Sequence, residues 1–109
     1  MKKNSGTQYP SCPVETTLLF VGDRWKILII RDLMEGTKRF GELRRRIGNI
    51  TQKTLTNNLR AMEAHGIVHR KVFAEIPPKV EYSLTSLGKS LKPVLDSMAE
   101  WGINFKASL

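Results

Sequence analysis

One cysteine, Cys12, stands in 109 residues. No disulfide can close within such a chain, and the usage fits a reducing compartment. Apolar runs are short, and none approaches the ~18 residues that a membrane-spanning helix needs. The opening Met1-Lys2-Lys3-Asn4-Ser5-Gly6 is basic but leads into no hydrophobic signal core, so a cytoplasmic protein without a membrane partner is expected. There is no internal repeat and no low-complexity segment. There is also no glycine-rich phosphate loop, and no nucleophile, base and acid stand at the spacings that catalytic sets use. Asp23, Asp32 and Asp96 are scattered over predicted helices, where capping and surface roles account for them. His65 and His69 lie four apart, but Gly66 separates them and no carboxylate or cysteine joins them at ligand spacing. The expectation is a protein that is not an enzyme and holds no metal or cofactor. The remaining scarcity is of negative charge: ten Asp and Glu face eighteen Lys and Arg, for a net +8.

That excess is concentrated. Residues 37–60 carry +6, from Lys38, Arg39, Arg44, Arg45, Arg46, Lys53 and Arg60 against Glu42 alone. Evenly spread charge would imply only solubility, whereas charge gathered beside a polar helix implies a polyanionic partner. An anionic membrane surface would require large apolar residues opposite the charge. Here the apolar side is small and better used as core.

The stretch from Ile50 to Gly66 organises the rest. Read as a helix, it stacks Leu55, Leu59 and Met62 on one side and Gln52, Lys53, Thr56, Asn57 and Arg60 on the other. Thr51 can cap its start and Gly66 can end it in a left-handed turn. Alone, such a helix is most simply an amphipathic helix with a solvated face. Its neighbours change that reading. Phe40 to Ile47 forms a short helix and Gly48-Asn49 a tight turn, so the pair makes a helix-turn-helix over about 40–66.

The other segments frame it. Residues 1–11 have no periodicity and read as a flexible tail. Cys12-Pro13 opens a helix over about 13–22, with Val14, Leu18 and Val21 on one face. Asp23 caps a second helix, Arg24 to Glu35, apolar on nearly every side and so central and buried. Gly36 stops it, and Thr37-Lys38-Arg39 form a basic turn. After Gly66 the period changes to two: Ile67–Phe73 and Val80–Leu84 read as strands of a hairpin tipped by Pro77-Pro78-Lys79, a wing over about 67–84. Thr85-Ser86 caps a final helical region, about 86–106. Leu84, Leu87, Leu91, Val94, Met98, Trp101 and Phe105 alternate there at three and four residues, as in a heptad seam. Pro93 inside it predicts a kink or a short first segment, and Gly88 and Gly102 weaken it. The fold class expected is mainly α with a small β-hairpin, α+β: a winged helix-turn-helix domain over 12–109. The seam exceeds what one small core needs. With the first helix it makes a homodimer interface of Val14, Leu18, Val21, Leu91, Val94, Met98, Trp101 and Phe105.

Several ordered blocks now carry a resemblance: Cys12-Pro13, Gly22-Asp23-Arg24-Trp25 with Ile27-Leu28, Arg39-Phe40-Gly41-Glu42-Leu43, Ile50 to Thr56, Leu59 to Glu63 with Gly66-Ile67-Val68, Pro78 to Thr85, Gly88 and Trp101. The chain resembles the HxlR-type winged-helix transcription regulators, related in build to the MarR group, over residues 12–105. Thr51 stands where that family often has serine and Met62 where it often has leucine, and both swaps keep the chemistry. The resemblance implies a homodimer on near-palindromic operator DNA. It also implies that the cysteine at position 12 senses electrophiles or oxidants in some members.

On this reading double-stranded DNA is the partner. Thr51, Gln52, Lys53, Thr56, Asn57 and Arg60 are assigned to the major groove or its walls, because amides and hydroxyls meet base edges and cations meet phosphates. Arg44, Arg45, Lys38 and Arg39 are placed against the backbone, with one of Arg44, Arg45 and Arg46 free to pair with Glu42 or Glu63. Arg70, Lys71 and Lys79 are placed to reach backbone or minor groove from the wing. Cys12 sits at a predicted helix start, where the dipole favours negative charge. It is either a sensor or a small residue under the cap. Trp25, Trp101 and Phe105 are read as apolar packing rather than a ligand box. The alternative for the whole is a winged helix that binds an acidic protein without reading DNA sequence.

Overall fold

The computed structural model describes residues 9–109. Of the expected tail, residues 1–8, including Lys2 and Lys3, lie outside them. The elements run α1 (Pro13–Val21), α2 (Arg24–Met34), β1 (Lys38–Arg39), α3 (Phe40–Ile47), α4 (Gln52–Ala64), β2 (Val68–Phe73), β3 (Lys79–Leu84), α5 (Ser86–Lys89) and α6 (Lys92–Ala107). The result is mainly helical with one small antiparallel sheet.

Local chemistry sets most of the boundaries. Asp23 accepts from the Trp25 and Lys26 N–H groups at 2.6 and 3.4 Å, and Thr51 Oγ1 accepts from the Thr54 N–H at 3.1 Å. Thr85 Oγ1 accepts from the Gly88 N–H at 3.0 Å. Each cap satisfies donors that a helix start leaves unpaired. The turn between α3 and α4 runs through Gly48 at φ 71° and Asn49 at φ 52°, the left-handed region where these residue types are tolerated. The core lies where α2, α3, α4 and the sheet converge. Ile29, Ile30 and Leu33 of α2 meet Leu43, Ile50, Leu55, Leu59, Met62, Ile67, Val68 and Leu84, all buried. Truncating any of the large ones should cost about 2–5 kcal/mol.

Four expectations need correction. Residues 38–39 are a strand rather than part of a turn: β1 pairs with β3, Lys38 opposite Tyr82 and Arg39 opposite Glu81, so the sheet order is β1-β3-β2. Two residues carry no alternation to read. Asp32 has no surface role; it is 2% exposed, with Arg31 Nε at 3.3 Å and Arg46 Nε at 3.6 Å from Oδ1. The heptad seam is not continuous. Leu84 ends β3 in the core, the chain turns at Ser90-Leu91, and Leu91 and Leu95 pack against the domain's own core. Leu91 therefore sits at the hinge between α5 and α6, half-buried against the core. Finally, Gly88 is a fitted residue: a Cβ there would lie 2.3 Å from the Ile67 carbonyl oxygen, so α5 can approach the sheet only with glycine.

Candidate nucleic-acid interface

Helix α4 turns Leu55, Asn58, Leu59 and Met62 inward and leaves Gln52, Lys53, Asn57 and Arg60 exposed, with Thr56 half-buried. The inward asparagine is compatible with a core because its Nδ2 donates to the Thr54 carbonyl at 2.9 Å. Sequence spacing did not single it out, since a polar residue directly after the polar Asn57 reads as surface. The outward set forms one continuous stripe. At its N-terminus the Thr51 hydroxyl is engaged by Thr54, which leaves the Gln52 and Lys53 N–H groups without helical acceptors. A helix start of this kind attracts a phosphate. Its thirteen residues span about 20 Å, enough to lie along the ~12 Å-wide major groove.

The three consecutive arginines of α3 divide. Arg44 Nε donates to the Ile50 carbonyl at 3.2 Å and so pins the turn into α4. Arg46 reaches back to α2, holding both Glu35 carboxylate oxygens at 2.7 Å beside buried Asp32. Arg45 is exposed and has no ion-pair partner among the described residues. The partners expected for this run, Glu42 and Glu63, are taken otherwise: Glu42 accepts from the Arg39 N–H at 2.9 Å and Glu63 holds Arg70. Asp32 and Glu35 stand eleven or more residues before Arg46, so no local spacing pointed to them.

Strand parity sorts the wing. Lys71 and Phe73 share one face with Lys79 and Glu81 across the pairs Lys71–Glu81 and Phe73–Lys79. There both lysine Nζ atoms lie over the Phe73 ring, at 4.9 and 4.6 Å from its centroid, and Lys79 is 3.5 Å from Glu81. Arg70 takes the other face, opposite Tyr82, and pairs with Glu63 of α4 at 3.2 Å. It thus turns toward the helix rather than outward with the lysines. Thr56, Leu59, Arg60, Glu63, Arg70 and Tyr82 line a cleft of about 240 Å³ between α4 and the wing. Burial pushes the Tyr82 hydroxyl above its usual range; Arg70 opposes this, Glu63 adds to it and Arg60 opposes it. Lys38 and Arg39 lie on the β1 edge of the sheet, where Lys38 Nζ donates to the Gly36 carbonyl at 3.4 Å.

Away from this face, apolar side chains stand in solvent. On α1 these are Val14 (67% exposed), Leu18 and Leu19, and on α6 Met98, Trp101 (68%), Ile103 and Phe105. Val21 and Val94 are half-buried. Trp101 and Phe105 stack at 5.3 Å with planes 8° apart. Leu19 widens the α1 stripe beside Leu18, whereas Ile103 escaped the spacing rule because it falls off the three-four alternation. Cys12 is exposed at the N-cap of α1. Phe20 of α1 meets His65, the C-cap of α4, edge-on at 5.4 Å. Among the described residues no helix is long and apolar enough to cross a membrane.

Comparison with known proteins agrees with this architecture. The uncharacterised HTH-type transcriptional regulator YdeP of Bacillus subtilis is 46% identical over 102 residues, 94% of this chain and 80% of YdeP. The structure of the redox regulator HypR in its oxidised form superposes with a TM-score of 0.80 at 50% identity, covering 85% of this chain and 96% of HypR. The reduced form of the transcriptional regulator YodB from B. subtilis gives 0.76 at 41% identity, covering 88% and 95%. Residues 20–108 match the HxlR-like helix-turn-helix family, and the chain belongs to that family of transcriptional regulators.

Proposed function

We propose that this regulator acts as a homodimer that lays two copies of α4 into successive major-groove turns of a near-palindromic operator. The observation that carries the reading is the exposed stripe of α4, where Gln52, Thr56 and Asn57 run beside Lys53 and Arg60. Neutral amides and hydroxyls discriminate bases but add little to a contact driven by charge alone. Thr51 and Gln52 offer N–H groups to phosphate, and Arg45, Lys71 and Lys79 supply further backbone contacts. Arg44, Lys38 and Arg39 contribute at the rim. Arg70 makes its contact from the cleft beside α4. The dimer uses the exposed faces of α1 and α6, Val14, Leu18, Met98, Trp101 and Phe105, with Val21 and Val94 behind them. A two-fold reader needs half-sites about 34 Å apart, and such a paired arrangement fixes that spacing.

Cys12 is the proposed point of control. It is exposed at the head of α1, a helix assigned here to the dimer face. HypR, a relative by structure, is a redox regulator. With one cysteine per chain, oxidation by a diamide-type reagent gives a disulfide between subunits or a mixed disulfide with a small thiol. A quinone gives a thioether adduct. The deciding experiment is footprinting on the upstream region of the protein's own gene, with and without diamide, for wild type and Cys12→Ser. A discrete two-half-site footprint is expected, altered by diamide in the wild type only. Equal protection of random DNA at moderate salt would instead favour a protein-interaction module. Equal responses in the two proteins would remove the sensor role.

A further inference from the structure

The outward stripe of α4 includes one acid. Thr56, Arg60 and Glu63 follow at four and three residues and so share a side of the helix. A carboxylate on a surface that meets a polyanion opposes binding unless something neutralises it. Here Arg70 does so, its Nε 3.2 Å from Glu63 Oε1. Arg70 and Tyr82 are paired across β2 and β3 and share the wing face turned toward α4. The cleft they line with Thr56, Arg60 and Glu63 therefore gathers two guanidinium groups and two hydroxyls around a single carboxylate. That is a donor set for a tetrahedral or planar oxyanion, and guanidinium forks suit phosphate as well as carboxylate. The resident ion pair is of the exchangeable kind: its partners are 44% and 38% exposed, and such pairs are weak and screened by salt.

We propose that the cleft between α4 and the wing is a phosphate seat, occupied in the free protein by Glu63 as an internal stand-in, which restrains binding to DNA of arbitrary sequence. This rests on the DNA-reading function proposed above and adds to it a residue that sets the overall affinity for duplex. A phosphate entering the seat takes Arg70 from Glu63 and meets Arg60, which lines the same cleft. The cost of displacing Glu63 is the same for every sequence, so it lowers every affinity alike, and a duplex that also satisfies Gln52, Thr56 and Asn57 stays bound at protein concentrations where random duplex is released. Two sources share the chemistry: a phosphate of the DNA backbone, or a free phosphate group.

The test uses the full chain and fluorescence anisotropy with a random duplex, from about 50 to about 200 mM salt. Glu63→Gln is expected to bind about three- to tenfold more tightly, with a salt slope steeper by up to about 0.9. Arg70→Gln should bind more weakly, with a flatter slope. In the Arg70→Gln background the Glu63→Gln gain should vanish. A gain of equal size there would show plain charge repulsion and overturn the seat. So would a Glu63→Gln variant that melts earlier yet binds no more tightly, as a purely structural ion pair would. Loss of preference at one base pair, with random DNA unaffected, would make Glu63 a base reader and also overturn it. In a second arm, inorganic phosphate replaces chloride at constant ionic strength while the Arg60 and Arg70 Nε–H resonances are followed by NMR. Shifts absent in Arg70→Gln place a free phosphate in the seat. Silence there, with the DNA effects intact, assigns it to the backbone. If the wild type binds no duplex at all, the DNA reading itself fails and takes this inference with it.

Discussion

At the scale of single residues, the contacts proposed for the α4 stripe are of two kinds, which should behave differently under titration with salt. Lys53 is exposed and has no ion-pair partner among the described residues. Lys53→Ala should weaken binding to every sequence alike and lower the magnitude of the salt slope by about one unit. Asn57→Ala should leave that slope alone and cost about 1–3 kcal/mol of discrimination at one base-pair position. Parallel isotherms on operator and random duplex distinguish the two, and a Lys53→Ala slope equal to wild type would remove the phosphate assignment. Much of this residue chemistry could be read before any fold was known. Asp23, Thr51 and Thr85 announce themselves as caps because a cap acts within three residues. What could not be read are partnerships across the fold. Asp32 looks like a surface acid until Arg46 is brought beside it. The inward turn of Arg70 was available from parity with Val68, but the imperfect alternation of β2 hid it.

At the scale of elements, the helix-turn-helix is fixed to α2 by charge as well as by apolar packing. Arg46 joins α3 to Asp32 of α2 and to Glu35, its C-cap, while the neighbouring Arg45 stands clear. Removing Arg46 strips one of two cations from a buried carboxylate whose second oxygen already has no hydrogen-bond partner among the described residues. Arg46→Ala should therefore destabilise the fold by about 1–3 kcal/mol, the scale on which a buried group left partly unpaired is penalised. Arg45→Ala should leave the melting temperature unchanged and reduce DNA affinity instead. Thermal melts beside anisotropy would expose an error in this division if the two variants behaved alike. A second element contact rests on Gly88. Its replacement by alanine pushes a methyl into the Ile67 carbonyl, and because that atom is backbone it cannot swing aside. A loss of at least about 1–3 kcal/mol is expected, read as a drop in denaturant midpoint. By helix propensity alone the same change would stabilise, so the sign decides between them. Here the sequence misleads: glycine in a helical run reads as a weak point, and only the packed sheet shows it to be a close approach. Likewise β1 is invisible beforehand, because its two residues gain strand character solely from Tyr82 and Glu81 more than forty positions on.

At the scale of the whole molecule, the arrangement of charge and apolar surface makes a two-subunit prediction. Basic and hydrogen-bonding groups gather around α4 and the wing, while the exposed Val14, Leu18, Met98, Trp101, Ile103 and Phe105 lie on the terminal helices α1 and α6. A shallow apolar groove of about 410 Å³ between α2 and α6, with Leu28, Leu95 and Met98 in its walls, continues the α6 face. In a two-fold pair each of these patches meets its own copy or its neighbour, so a single substitution acts twice. Trp101 contributes nothing to the domain's core, being 68% exposed. Trp101→Glu should thus keep its fold and melting cooperativity yet place like charges at the contact. Sedimentation should then give a mass near 12.4 kDa where the wild type gives twice that. Operator protection should be lost, because one subunit engages only one half-site and forfeits the effective concentration of the second. Binding to random duplex should persist, since the phosphate contacts proposed for it sit on α4 and the wing within each subunit. A Trp101→Glu protein that remains double in mass and protects both half-sites would move the interface elsewhere. A wild type that sediments as one subunit while still footprinting would sever pairing from recognition altogether.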